Sequence, residues 1–553
     1  MKKHPSNPET WTFCDLKKPD NEHASLVVAP VGVDPASAAA SATVFNSITA
    51  FAQTGAGIAT FATLGVLAVA GTGLGIAAGV GVFDVSPPPP SPPLPPPLPP
   101  PPSPPPSPPS PPPPPPQPPW SDVTVPTNED PFAQTRFIEI DRAKYPRALC
   151  NDGSAGGYDF REGQMTASKH IWIVMLQSGG WAYDYDSITE RAENQQYYVG
   201  SGSAWSTKYG SSNQFSGIMR STHAGLRNAN LAYLRYCTSD AYMASTDVGM
   251  SNTAGVSTGK IPYRGIDMLK AFLEELVVTH GMGHGPDRHT LVFGGNSAGA
   301  RGAMVHLDYL PDMLEAIEQN HGGFSNPIPI RQNVDIYGYL DGAMWIDMAG
   351  YNGESGGSAV DGSPMLEQTK TFYNNIMIYT PAADRHLGSG CVAAHGSEPW
   401  KCIFGEYRLP HLQTKAVVLA ALDDWFIRSM MLWRDPKAMY THEEARDRFV
   451  IANFYSNHVK QYGNHMRSLL QTLYASSKIS TVGWRCNFHA DTLQIKFPLG
   501  SVNGFTRFSQ SVAGPPPPSP NGTADEALQA LVFEYKTKYF VDQCETYLCS
   551  SAC

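Results

Sequence analysis

From residue 130 onward, short uninterrupted apolar runs alternate with stretches whose apolar positions recur every three to four residues. The runs 171–176, 231–237, 290–293, 334–340 and 416–422 have the length of buried strands, and each leads into glycines or small polar residues. Between the second and third, Ile266, Leu269, Phe272, Leu273, Leu276 and Val277 fall on one helical face, as in a crossover between parallel strands. Met304, Val305, Leu307 and Leu310 continue the third run into a helix starting near Ala298. A longer amphipathic helix is expected over 441–473, with Ala445, Phe449, Ala452, Tyr455 and Val459 on its apolar side, and a last helix leads to the C-terminal tail. Strands alternating with helices predict an α/β domain over 130–553, with a mostly parallel sheet flanked by helices.

The first 130 residues follow another pattern. Residues 1–40 are polar, and Lys2, Lys3, Lys17 and Lys18 are the only lysines or arginines before Asp34. No charge then follows until Asp84, and the apolar stretch 55–83 exceeds the about 20 residues that cross a hydrocarbon core. Basic residues ahead of it predict a cytoplasmic tail (1–40) and a transmembrane signal anchor (41–84), with a cleaved signal peptide and a secreted protein as the alternative. Residues 85–129 are a proline-rich linker that must run as polyproline II, because proline lacks the N–H that helix and sheet require. At roughly 3.1 Å per residue, such a stalk would hold the domain about 100 Å from the bilayer.

Composition narrows the classes. Most of the 50 prolines lie in that linker, and a net charge of -10 leaves no basic footprint for nucleic acid. Of nine cysteines, Cys14 precedes the apolar segment and eight follow it: Cys150, Cys237, Cys391, Cys402, Cys486, Cys544, Cys549 and Cys553. An even set beyond the segment fits a domain folded in an oxidising compartment, outside the cell or in the secretory lumen. Asn521-Gly522-Thr523 is a glycosylation sequon in that setting.

The candidate chemistry centres on Gly295-Asn296-Ser297-Ala298-Gly299, a G-x-S-x-G turn between strand and helix. Such a turn exposes a serine nucleophile at the edge of an α/β-hydrolase sheet, and the Ala298 N–H at the helix start faces the oxyanion of an ester intermediate. In that fold the acid and then the histidine follow in chain order, on loops at the same edge. Asp423 ends the second strand after the turn and is the favoured acid, with Asp424 and Asp341 in reserve. Among His442, His458, His465 and His489, only His489 stands on an expected loop rather than at the start of or within the long helix, beside Cys486. Gly179-Gly180-Trp181 follows an earlier strand and supplies the second oxyanion donor from the Gly180 or Trp181 N–H.

Several ordered blocks together resemble the pectin acetylesterase family, which includes the Notum carboxylesterases. They are Cys150-Asn151-Asp152-Gly153-Ser154 with Gly157-Tyr158, Gly179-Gly180-Trp181, Tyr236-Cys237-Thr238-Ser239-Asp240, Ser297-Ala298-Gly299, Trp400-Lys401-Cys402-Ile403-Phe404-Gly405, and the closing Cys544, Cys549 and Cys553. The resemblance implies a triad of Ser297, Asp423 and His489, an acyl-serine intermediate, no metal or organic cofactor, and disulfides Cys150–Cys237 and Cys391–Cys402. It implies an acetylated, pectin-like polysaccharide as substrate, with a Notum-like fatty-acyl esterase as the alternative; an inert wall-associated binding protein is the reading from another class. The chain departs from the family pattern at Gln177-Ser178, Ala182 and Ala300-Arg301, positions expected at the pocket rim, where they would bear on substrate preference.

Overall fold

The computed structural model describes residues 135–163, 169–193, 201–202, 215, 217–221, 224–324, 326–351, 359–360, 364–381, 383–422, 424, 426–427, 457–484 and 524–541. Its strands are β1 (Arg136–Glu139), β2 (Gly157–Arg161), β3 (Ile171–Leu176), β4 (Asn230–Leu234), β5 (Thr246–Ser251), β6 (Ser257–Tyr263), β7 (His289–Asn296), β8 (Val334–Asp341), β9 (Gly350–Tyr351), β10 (Ala359–Val360), β11 (Ala416–Ala421), β12 (Ile479–Trp484) and β13 (Tyr539–Val541). The principal helices are α1 (Tyr185–Glu193), α2 (Gly265–Val278), α3 (Ala298–His306), α4 (Leu310–Asn320), α5 (Pro364–Asn375), α6 (Asn457–Ala475) and α7 (Ala524–Phe533).

Among the described residues, nine strands form one sheet in the order β1-β2-β4-β3-β7-β8-β11-β12-β13. From β4 to β13 every neighbouring pair is parallel, whereas β1 and β2 are antiparallel additions at one edge. The expected mostly parallel α/β sheet is therefore present. Alternate residues of β3 divide between the two faces: Trp172, Val174 and Leu176 join the core beneath α2, α3 and α4, while Ile171, Ile173 and Met175 pack in the core shared with α7. Burial on both faces explains why the parallel strands read as unbroken apolar runs.

Two boundaries differ from expectation. The strand expected to reach residue 237 ends at Leu234, because the Arg235 N–H turns to the Gly157 carbonyl at 3.1 Å and Cys237 is tied to Cys150 by a disulfide. The long helix is described from Asn457, and its buried face carries Tyr462, Met466, Leu470 and Leu473; residues 428–456, with the expected start and most of the expected apolar positions, lie outside the described residues. The Cys391–Cys402 disulfide is also formed. The predicted anchor, the proline stalk, the sequon and the remaining cysteines fall outside the described residues. Among those described, no helix is long and apolar enough to cross a membrane.

Candidate active site

The C-terminal ends of the parallel strands put the site at one edge of the sheet. Register aligns Leu176 of β3 with Gly295 of β7, and Asn296 of β7 with Asp341 of β8. Asp341 is level with Leu419 of β11, and Ala421 with Trp484 of β12. The segments leaving these adjacent strands therefore start side by side, although they are far apart in sequence.

Ser297 occupies the turn between β7 and α3 at φ 51° and ψ -117°, a left-handed conformation that costs a non-glycine residue about 1–3 kcal/mol. The Ser297 N–H donates to the Asp341 carbonyl at 2.8 Å and its carbonyl accepts from the Arg301 N–H at 2.9 Å, so both sides of the turn are tied. The glycines of the motif are steric requirements. A Cβ at Gly299 would lie 2.1 Å from the Leu176 carbonyl oxygen, and one at Gly295 would lie 2.6 Å from the same atom. α3 can thus start against the end of β3 only over glycine, and this close approach brings Ser297 beside the loop that follows β3.

That loop supplies the second set of donors. Gly180 has φ +66°, and a Cβ there would also crowd the Arg191 guanidinium at 3.1 Å. The Ala182 N–H donates to the Ser239 carbonyl at 2.7 Å, anchoring the loop one residue beyond Trp181. Among the described residues, neither the Trp181 nor the Ala298 N–H donates to a backbone carbonyl. Two such N–H groups, one from the loop and one from the helix start, make a pair able to receive a developing oxyanion.

Trp181 is held from several sides. Its ring lies 4.5 Å from Phe372 and 5.5 Å, edge-on, from Trp345. The Arg301 guanidinium lies between the two indoles, 3.7 Å from the Trp181 centroid and 3.5 Å from that of Trp345. Its other contacts are donations to Thr369 Oγ1 at 2.6 Å and to the Ile403 carbonyl at 3.2 Å. Burial lowers its pKa well below the ordinary arginine value. Arg301 is 1% exposed and Ala182 and Ala300 are fully buried, which corrects the expectation that these departures line the pocket rim. The residue type alone gave no sign of this, since a lone arginine reads as a surface charge.

A further support is the strained loop after β4, where Ser239, Ala241 and Tyr242 all have positive φ. Asp240 holds it: its carboxylate accepts from Thr238 Oγ1 at 2.6 Å and from the N–H groups of Gly265 (2.8 Å), Tyr242 (3.0 Å) and Ala244 (3.2 Å). Burial pushes this carboxyl up to about 7, against the pull of those donors. Arg191 Nε donates to Ser239 Oγ at 3.0 Å, joining α1 to the same support. Gln177 accepts the Tyr236 N–H at 2.9 Å, so this departure is also structural.

Ser297, Ala298, Gly180 and Trp181 are thus brought together at the ends of β3 and β7. Asp423 and His489 lie outside the described residues, beyond the ends of β11 and β12 respectively. Of the reserve acids, Asp424 is buried and accepts the Ile427 N–H at 3.0 Å, a turn-capping contact; Asp341 is buried beside the elbow, which its carbonyl holds. His465, on α6, faces Glu406 at 3.1 Å, and that contact raises its pKa.

The family model for pectinacetylesterase matches residues 129–553. The chain belongs to the pectin acetylesterase family. Pectin acetylesterase 5 of Arabidopsis thaliana is 26% identical over 300 residues, covering 52% of this chain and 58% of its own length. The palmitoleoyl-protein carboxylesterase NOTUM of Schmidtea mediterranea is 23% identical over 306 residues, covering 54% of this chain and 51% of its own. The chain thus spans about half to three-fifths of the length of these relatives. The crystal structure of the Wnt deacylase Notum from Drosophila superposes with a TM-score of 0.52 at 18% identity, covering 76% of this chain and 99% of that one, and shares the fold.

Proposed function

We propose that the chain is a serine carboxylesterase that removes O-acetyl groups from an extracellular or secretory-pathway polysaccharide, pectin-like by family. The observation that carries the reading is the Ser297 turn, strained at φ 51° and seated against the Gly180-Trp181 loop at the C-terminal edge of a parallel sheet. Membership of a family with carboxylesterases named on both its plant and its animal sides supports ester hydrolysis.

In this account His489 takes the Ser297 hydroxyl proton as Oγ attacks the acetyl carbonyl, and Asp423 orients the imidazole. The tetrahedral oxyanion is met by the N–H groups of Gly180 or Trp181 and of Ala298, where one lost donor typically costs about 3–4 kcal/mol. Collapse breaks the C–O bond to the sugar, whose oxygen takes the proton from His489, and leaves acetyl-Ser297. Water, deprotonated by His489, then attacks that ester and releases acetate and the free serine. The disulfides accord with a domain exported from the cytosol. Residues 41–84 are read as its membrane anchor.

The test is acetate release from acetylated pectin and acetylated xylan by the full chain, beside Ser297→Ala and hydrolysis of a long-chain ester. Acetate release falling at least about a thousandfold in Ser297→Ala supports the reading. Cleavage of the long-chain ester alone would transfer the assignment to a fatty-acyl esterase, and no turnover of either by folded, oxidised protein would leave a binding protein.

A further inference from the structure

Beside the oxyanion loop lies a cavity of about 440 Å³, within the roughly 300–1,000 Å³ usual for small-ligand sites. Its floor is the whole of β5, and its walls are the start of α1 with Asp184 and Tyr185, Asn375 at the end of α5, and Tyr379. It is joined to the reaction edge by two short links. Asp184 is three residues beyond Trp181, and α5 both presses Phe372 on the Trp181 ring and donates from Asn375 Nδ2 to the Tyr183 carbonyl at 2.9 Å.

The lining has a definite polarity. Asp184 Oδ1 accepts the Ser187 N–H at 2.9 Å, Asp247 Oδ2 accepts from Arg264 at 2.6 Å, and the Asn375 amide nitrogen is used as above. Among the described residues, the second oxygens of both carboxylates and the Asn375 carbonyl oxygen accept nothing. Among the described residues no lysine, arginine or histidine lines the cavity, and Arg264, which pairs with Asp247, is also shared with Asp267. A uronate or phosphate would set a further negative charge beside the two carboxylates, whereas a neutral sugar brings its hydroxyl donors without that charge. The rim adds a second observation: three of the four large apolar side chains exposed among the described residues, Val256, Ile378 and Tyr379, belong to the hairpin and turn bordering this cavity. Tyr379 is 63% exposed, and a flat ring of this kind at a polar cleft presents a face for the C–H face of a pyranose. β5 has one unpaired edge, but the register shift between Gly249 and Ser251 breaks the regular ladder that an added peptide strand would need.

We propose that this cavity is a binding subsite for a neutral sugar unit of the polysaccharide, stacked on Tyr379 and hydrogen-bonded by Asp184, Asp247 and Asn375. It selects a neutral-sugar stretch of the pectin-like polysaccharide over a polyuronate stretch for presentation at Ser297. The role in catalysis rests on the esterase reading, whereas the binding itself does not. The test is calorimetric titration of the full chain carrying Ser297→Ala with xylohexaose and with hexagalacturonate, repeated with Tyr379→Ala added. In parallel, kcat/KM on acetylated xylan is compared with that on p-nitrophenyl acetate, with and without Tyr379→Ala in an otherwise unaltered chain. The expected results are preference for the neutral oligosaccharide, an affinity loss of about tenfold with Tyr379→Ala, and a matching fall in the polymer-to-small-ester ratio. Equal or tighter binding of hexagalacturonate, or neutral-sugar binding untouched by Tyr379→Ala, would overturn the subsite. Failure of every esterase assay with the binding preference intact would instead fault the esterase reading alone.

Discussion

Ser297, the proposed nucleophile, has a backbone conformation that glycine would adopt without cost, at φ 51°. Ser297→Gly is therefore expected to stabilise the domain by about 1 kcal/mol while abolishing ester hydrolysis, a trade measured by the shift in urea midpoint beside the activity. Arg301 poses the complementary case. Its guanidinium is buried between two indoles and bonded to a hydroxyl and a carbonyl, with each cation–π contact worth about 2 kcal/mol when desolvated. Arg301→Met should lower stability by about 2–4 kcal/mol and, through a loosened Trp181, lower kcat more than it raises KM. Arg301→Lys should recover little of either, because an ammonium lacks the planar face and the spread of donors that the guanidinium sets against the indoles, Thr369 and Ile403.

Of the two disulfides among the described residues, the one at Cys237 carries the larger covalent constraint. Cys150–Cys237 closes a separation of 87 residues and Cys391–Cys402 one of 11. On loop-closure grounds, replacing the first pair by alanine should cost about 4–5 kcal/mol and the second about 3 kcal/mol or less, read from denaturant midpoints under oxidising conditions. Helix α3 and strand β7 also fix a pH response. His306 bonds through Nε2 to the Tyr242 carbonyl at 2.7 Å and through Nδ1 to His386 at 2.9 Å, and His289 accepts from the Trp172 indole at 3.0 Å. Burial lowers the pKa of both His306 and His289 from 6.5 to about 4. The unfolded chain then binds more protons than the folded one between those values. The two histidines are expected to lower stability as pH drops from about 6.5 toward 4, partly offset by Asp240, whose raised carboxyl acts in the opposite sense; a pH dependence of the urea midpoint left unchanged by His289→Gln would contradict the assignment.

At the scale of the whole molecule, the strands legible in the sequence were those buried on both faces, because an unbroken apolar run as short as Ile171–Leu176 suits a strand shielded from water on either side. β2 and β12 are buried as well but escaped because what they bury includes polar side chains. β2 buries Asp159 against Arg235 at 2.8 Å and sends Arg161 to the Arg227 and Ala229 carbonyls, while β12 buries Ser480 and Thr481. Buried polar residues interrupt the apolar run and leave no period to read. The elbow was legible because G-x-S-x-G is a short local pattern at the end of an apolar run, whereas the role of Arg301 depends on Trp181, Trp345, Thr369 and Ile403, all distant in sequence. The parallel order β3-β7-β8-β11-β12 matters most for the proposed function, because it sets the loops carrying Gly180, Ser297 and Asp424 along one edge, where the segments leaving β11 and β12 also begin. The most direct test of that arrangement is to treat the full, oxidised chain with a fluorophosphonate and locate the adduct by peptide mass spectrometry. The account predicts a single adduct on Ser297, lost in His489→Ala and retained in His465→Ala; an unlabelled protein, or an adduct on another serine, would contradict it.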